Sequence, residues 1–375
     1  MAEGRACPIC GARQGAALLD RLDVPVLMNR FYPSPAAARA APTGRLSVAG
    51  CDGCGFVFNR GFDPALIAYE PGYENDQTQS PRFSAHLDGM AAVLAGPPAR
   101  RPARILEIGC GQGDLLEALV ARGAGHAAAI GYDPAWRRRP LPPGLRIEAA
   151  MFAAGDEKGG FDLVYARHAL EHVADPVALL RAMAASLAPG GRLCLEVPDL
   201  DWSLAHRQMQ DFFYEHCNYF TAASLAEACR RAGLGGVRIE RVFGGQYLWA
   251  EAAGTGTVAL PPPGPRPCAV DAGFFPRWRA RLAELPRRVA LWGAGAKGVT
   301  FATETDPAAT RIACLIDLNA KKQGLFTPRS AHPVVAPAAA REFNIETIVV
   351  MNPNYYDEIA FAAAAAGLRA RLLPC

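Results

Sequence analysis

No stretch of this 375-residue chain approaches the roughly eighteen consecutive apolar residues that a bilayer span requires. The alanine-rich segment from Ile359 to Gly367 is half that length and reads as an amphipathic helix. Met1-Ala2-Glu3-Gly4-Arg5 lacks the apolar core of a signal peptide, so a cytoplasmic location is expected. Concentrated positive charge is also missing. Net charge is only +3, and the densest basic run, Arg137-Arg138-Arg139, reads as a solvated face. That excludes the basic footprint of a nucleic-acid binder and leaves a small-molecule substrate, with no nucleic-acid or membrane partner. With 51% hydrophobic and 20% charged residues the chain is globular, not disordered. Its length exceeds one ordinary core, so two or three domains are expected.

Eleven cysteines are present, and in a reducing compartment they are not a disulfide framework. Four are organised as Cys7-Pro8-Ile9-Cys10-Gly11 and Cys51-Asp52-Gly53-Cys54-Gly55. Each C-x-x-C-G is a knuckle whose tight turn presents two thiolates to one metal. Two knuckles supply the four sulfurs of a tetrahedral zinc site at Cys7, Cys10, Cys51 and Cys54. A redox dithiol would sit at a helix start after a strand, which neither pair does. A closed thiolate shell leaves no position for substrate, so the zinc is expected to be structural. The other seven cysteines, Cys110 and Cys217 among them, read as packing residues.

Arg104 to Ile108 reads as a buried strand, followed by a turn with Gly109, Gly111 and Gly113 and the start of a helix. Glycine lets a ligand lie against bare backbone. The next strand, roughly Ala127 to Tyr132, ends in Asp133, twenty residues beyond Gly113, where a doubly wound fold holds a ribose hydroxyl pair. The dinucleotide spacing G-x-G-x-x-G is lacking here. Instead Glu107 precedes alternate glycines, which resembles motif I of class I S-adenosylmethionine (SAM) methyltransferases. A strand at Phe161 to Tyr165 follows, then Arg167-His168-Ala169-Leu170-Glu171-His172-Val173. Asp175-Pro176 opens a helix with an N-cap acid and a proline at N1, stopping at Pro189-Gly190-Gly191 before a strand from Arg192 to Val197. The resemblance implies a SAM cradle of Glu107, Gly109, Gly111, Gly113 and Asp133, with His168 nearby. Tyr73 and Gln77, from the polar and aromatic segment Tyr69 to Gln77, are candidate lid contacts.

Glu215, His216, Asn218 and two tyrosines crowd the segment Asp211 to Phe220, in a loop leaving a strand's carboxyl end, the edge where open α/β sheets bind ligands. A histidine beside a carboxylate suits a general base. Glu215-His216-Cys217-Asn218-Tyr219-Phe220 resembles the E-H-x-x-Y-F segment of bacterial sugar C-methyltransferases, which act on nucleotide-linked 4-keto-deoxyhexoses. That resemblance implies a zinc domain, a SAM domain and a C-terminal α/β domain. It casts His216 as the base, oriented by Glu215, with His172 and Tyr214 as electrophilic helpers and Asn218 and Tyr219 at the substrate. One departure stands out: the family places a tyrosine where this chain has Phe213.

Pro261 to Pro267 reads as a stiff linker. Beyond it, Gly293-Ala294-Gly295-Ala296-Lys297-Gly298 follows a strand, and Asp317 ends the next one. Alone this is a dinucleotide fingerprint and supports a second reading, a nicotinamide-dependent oxidoreductase. The unit from Arg288 has room for about three βα units. The family resemblance gives Gly295, Lys297 and Asn352 to a nucleotide-linked substrate instead. The expected fold is therefore α/β: a zinc-knuckle domain (1–68), a Rossmann-like class I SAM methyltransferase core (69–254) and a Rossmann-like domain (255–375). An O- or N-methyltransferase, or a zinc-ribbon binding module with an inactive core, are the alternatives.

Overall fold

The computed structural model describes residues 6–69, 72–253, 270–286 and 288–375. The proline-rich linker at 261–267 and the N-terminal pentapeptide lie outside the described residues.

Strands β1 (Gln14–Pro25), β2 (Thr43–Cys51) and β3 (Val57–Asn59) form an antiparallel meander. Both knuckles sit at its end, and Gly11 and Gly55 each adopt φ +73°, the left-handed turn that a side chain disfavours. The next five strands are β4 (Arg104–Ile108), β5 (Ala128–Tyr132), β6 (Leu145–Glu148), β7 (Phe161–Arg167) and β8 (Leu187–Pro198). A two-residue strand, β9 (Asn218–Tyr219), follows, then the hairpin of β10 (Gly235–Val242) and β11 (Tyr247–Ala253).

The central sheet runs β10-β11-β8-β7-β4-β5-β6, parallel from β8 to β6 with the hairpin antiparallel at one edge. Its inner strands are covered on both faces, so β4 and β7 are apolar apart from Arg104, Glu107, Asp162 and Arg167. Chain order reverses at β4, which lies between β5 and β7, and this opens a crevice at their carboxyl ends. Local signals act as their chemistry requires. Asp175 accepts the Ala178 N–H to open helix Pro176–Ser186, and Thr221 with Ser224 forms a capping box on helix Ala222–Arg231. Pro189-Gly190-Gly191 differs from expectation. The helix stops at Ser186 and β8 has already begun at Leu187, so these residues form an irregular stretch of strand between the Phe161 and Leu163 pairings.

The C-terminal third is a five-stranded, all-parallel sheet, larger than the three units its length suggested. Its strands are β12 (Val289–Trp292), β13 (Ile312–Ile316), β14 (Val334–Val335), β15 (Thr347–Val350) and β16 (Arg371–Pro374), in the order β14-β13-β12-β15-β16. Strands of only two to five residues let two extra ones fit. A Cβ on Gly298 would lie 1.9 Å from the Gly293 carbonyl oxygen, so this glycine lets helix Ala296–Thr305 press against the loop.

The sheets are not independent. β9 pairs with β3, Val57 opposite Tyr219 and Phe58 opposite Asn218, so the segment holding His216 is stitched into the N-terminal sheet. One apolar core runs from Val24, Met28 and Leu46 through Phe213 and Tyr219 to Val289 and Phe301 of the C-terminal unit. Among the described residues no helix is long and apolar enough to cross a membrane.

Candidate active site

A cavity of about 740 Å³ opens at the carboxyl ends of β4 and β7, and the C-terminal sheet closes its far side. Of the residues singled out in the sequence, Tyr73, Gln77, Glu107, Gly109, Gly111, Asp133, His168, His172, His216, Gly295, Lys297 and Asn352 all line it.

The wall at β4 is the glycine loop. Asp133 folds back on it, accepting the Gly111 N–H at 2.8 Å and the Ala135 N–H at 2.8 Å. Bare backbone at Gly111 leaves open space beside the acid. Glu107 is buried and accepts the Tyr165 hydroxyl at 2.9 Å. Burial pushes its pKa to about 8, the Tyr165 hydrogen bond and the Arg167 charge opposing only in part. The folded state therefore holds a proton that the unfolded chain releases near pH 4.5, so this group costs stability progressively as pH rises towards 8. Glu107→Gln removes that cost. Its stability relative to the parent should rise between pH 5 and pH 8, by at most about 4 kcal/mol at roughly 1.36 kcal/mol per pKa unit. Urea unfolding at the two pH values reads this directly, and a pH-independent difference would refute it.

The wall at β7 carries the histidines. The rings of His172 and His216 meet edge-on, centroids 4.9 Å apart, and His216 packs on Phe213 at 3.9 Å. Tyr69 shares a hydrogen bond with His172 Nδ1 at 3.1 Å. Burial depresses the pKa of both histidines; the neighbouring His172, His168 and Lys297 add to the effect at His216, while the Glu171 carboxylate opposes it at His172. Both are thus uncharged at neutral pH. His168 behaves oppositely: although burial lowers its pKa, Glu171 and Glu196 outweigh that and raise it to about 9. Its Nδ1 lies 3.2 Å from Glu171 Oε1. Its Nε2 lies 3.2 Å from Glu196 Oε1 but is too poorly aligned for a hydrogen bond, so that contact is ionic. Arg167 and His86 complete the cluster around Glu196 at 2.9 and 2.7 Å.

Five expected site residues point elsewhere. Tyr214 is fully buried against Gly44 and Phe62, its hydroxyl accepting the Asp63 N–H at 2.8 Å, so it belongs to the N-terminal unit and not to the electrophilic site. Glu215 does not orient His216. It accepts the Met28 N–H at 2.6 Å, and burial raises its pKa to about 7. Asn218 donates to the carbonyls of Leu170 and Val173, at 3.0 and 2.7 Å, and so holds the turn that presents His172. Tyr219 donates to the Phe213 carbonyl at 3.2 Å. Gly113 caps helix Asp114–Ala121 at φ +88°, packed where a Cβ would meet Ile147 at 2.6 Å. The reason is shared by the loop residues. The segment is sandwiched between two units, so its side chains divide between them; Phe213 and His216 face the cavity and Tyr214 and Glu215 face the N-terminal sheet. Tyr69 and Glu171 line the cavity too, although pattern reading gave neither a role. The i, i+3 spacing of His168 and Glu171 was the available signal for one of them.

The far wall holds Gly295, Lys297, Asp317, Lys322 and Asn352. Asp317 accepts the Ala294 N–H at 2.8 Å, repeating the Asp133 arrangement. Lys297 is not a free cation: its Nζ lies 2.7 Å from Asp211 and 3.2 Å from Gln208. Asn352 donates to Gln246 at 3.0 Å, across the seam between the two sheets.

Away from the cavity, the sulfurs of Cys7, Cys10, Cys51 and Cys54 all lie within 4.8 Å of one another. Cys51 Sγ also accepts the Gly53 N–H at 3.3 Å, the pattern of a thiolate knuckle. The cluster is compatible with a zinc ion.

Residues 83–238 match the methyltransferase domain family, and residues 280–369 match the C-methyltransferase C-terminal domain family. A trans-aconitate 2-methyltransferase of Methylobacterium nodulans is 37% identical over 141 residues, 36% of this chain and 54% of its own length. A ubiquinone biosynthesis O-methyltransferase of Xanthomonas euvesicatoria pv. vesicatoria is 39% identical over 163 residues, 39% of this chain and 66% of its own. The chain spans about half the length of the first of these curated relatives. The solved structure of human N-acetylserotonin methyltransferase in complex with SAM is 15% identical and covers 47% of this chain and 54% of that one. Its TM-score is 0.38. From the family matches, residues 83–238 are a class I SAM-dependent methyltransferase domain, and they are followed by a C-methyltransferase C-terminal domain at 280–369.

Proposed function

We propose that the protein methylates carbon, at the position next to the ketone of a nucleotide-linked deoxysugar. The observation that carries the reading is the uncharged His216 ring on the same cavity as the glycine loop, with a second glycine loop facing both. SAM would lie on Glu107, Gly109, Gly111 and Asp133 and supplies a methyl group on a sulfonium. His216 takes the proton α to the ketone, and the C–H electron pair becomes the enolate. With SAM bound there, the enolate carbon would take the methyl group as the S–CH₃ pair returned to sulfur, with S-adenosylhomocysteine and one proton released. His172, held by Tyr69, faces the developing oxyanion. Gly295 and Asn352 offer polar groups to the nucleotide. Zinc on the four cysteines fits the donor set and keeps a purely structural role.

Phe213 favours a second reading. It brings no hydroxyl to the ketone, and His216 could instead deprotonate a sugar hydroxyl for O-methylation. The match to a C-methyltransferase C-terminal domain weighs against nicotinamide chemistry at the second glycine loop, and a cavity holding both Glu107 and Asp133 weighs against an inactive core. Incubation with SAM and a panel of nucleotide-linked 4-keto-deoxysugars, read by mass spectrometry and carbon-resolved NMR, separates these. A carbon-bound methyl is expected; an oxygen-bound methyl would transfer the assignment to the second reading, and no product with bound SAM would exclude the sugar.

A further inference from the structure

We infer that Glu171, His172 and His216 form a binding site for one divalent transition-metal ion, distinct from the four-cysteine cluster. A carboxylate oxygen of Glu171 and one ring nitrogen from each histidine lie within 4.8 Å of one another. Neighbouring donors on an ion at about 2.1 Å are about 3.4 Å apart in a tetrahedral shell, so side-chain rotations that draw the three together by about 1 Å bring them onto one centre.

An independent observation points to a ligand. Glu171 is 1% exposed, and its Oε2 is buried without a hydrogen-bond partner. A carboxylate oxygen stripped of water and left unpaired is costly, and a cation is the partner that offsets the cost most fully. The remaining atoms of the set are already tied, as the outer partners of metal ligands are. Glu171 Oε1 is held by His168 Nδ1 at 3.2 Å, and His172 Nδ1 by the Tyr69 hydroxyl at 3.1 Å. Phe213 backs the His216 ring.

Two imidazoles and one carboxylate select nickel, cobalt, iron or zinc over calcium and magnesium, which want oxygen donors. All three residues line the cavity, so an ion here would keep open positions towards substrate. An ion on the His216 nitrogen also removes the lone pair needed to take a proton. Metal occupancy and C–H deprotonation therefore exclude each other, a consequence that rests on the function proposed above, whereas the binding itself does not.

The test uses the full chain, loaded with one equivalent of zinc, which the four thiolates take first, and then equilibrated with Ni²⁺ by dialysis, with both metals counted by plasma mass spectrometry. Parent protein should hold about one zinc and about one nickel per chain, and Glu171→Gln and His172→Gln should each weaken nickel at least about tenfold with zinc unchanged. A thermal melt and SAM binding check that each variant is folded, and either variant alone is decisive if the other fails to fold. No saturable nickel in the parent, or parent-like nickel in a folded variant, overturns the site. Methyl transfer should fall in proportion to nickel bound, and a rate unchanged or raised at full occupancy overturns the exclusion. If no methyl acceptor is ever found, the nickel stoichiometry still decides the site.

Discussion

Replacing His216 with alanine is expected to lower methyl transfer about 10²–10⁴-fold while SAM affinity stays within about twofold, since proton removal by a placed base is worth that much. The separation of effects follows from the packing. The His216 ring touches Phe213 and His172, and the glycine loop that would hold SAM stands on a different wall of the cavity. Exchange of the α-hydrogen with deuterated solvent, with S-adenosylhomocysteine in place of SAM, isolates the base step from the methyl step. That exchange should disappear in His216→Ala. Exchange at the parental rate would remove His216 from the chemistry, and a large loss of SAM affinity would recast the residue as part of the cofactor wall. Glu215→Gln makes the contrasting case. Its carboxyl serves the Met28 N–H and not the His216 ring, so any loss it causes should accompany a lower melting temperature.

Cys51→Ser is expected to melt the N-terminal sheet and silence the active site together. A structural zinc ion contributes on the order of 10 kcal/mol to the fold it closes, and a serine in its shell forfeits much of that. The connection to catalysis is mechanical. Cys51 ends β2, β2 pairs with β3, and β3 pairs with β9, which begins two residues after His216. Met28, between β1 and β2, also holds Glu215 beside that histidine. Without the sheet, the loop from Phe213 to Tyr219 loses both attachments, while the glycine loop keeps its own parallel sheet. Thermal unfolding should therefore show a lost or early transition, methyl transfer should drop more than about tenfold, and SAM should still bind. Chelation of the parent protein should reproduce the pattern. Full activity with an unchanged melt would detach the cysteine cluster from the site.

Much of this was legible in the residues themselves because it depends on near neighbours. The knuckle glycines at 11 and 55, the caps at Asp175 and Thr221 and the glycine turn after β4 are short-range devices whose geometry follows from residue type and spacing. The two acids that close the glycine loops, Asp133 and Asp317, stand at the strand ends where their spacing put them.

Side-chain direction in the segment Asp211 to Phe220 was another matter. Polar residues crowded there read as one active-site cluster, yet Tyr214, Glu215, Asn218 and Tyr219 spend their polar groups on backbone partners of a sandwiched loop. Such a loop has two faces, and which residues belong to which is set by β9 joining a sheet whose other strands lie more than 150 positions earlier. Tyr69 beside His172 and the unpaired Glu171 oxygen are likewise products of long-range approach. Turns, caps and the acids at strand ends were thus written locally in the chain. The assignment of histidine, carboxylate and tyrosine to cavity or core waited on the tertiary structure, because burial and partner choice are properties of the packed whole.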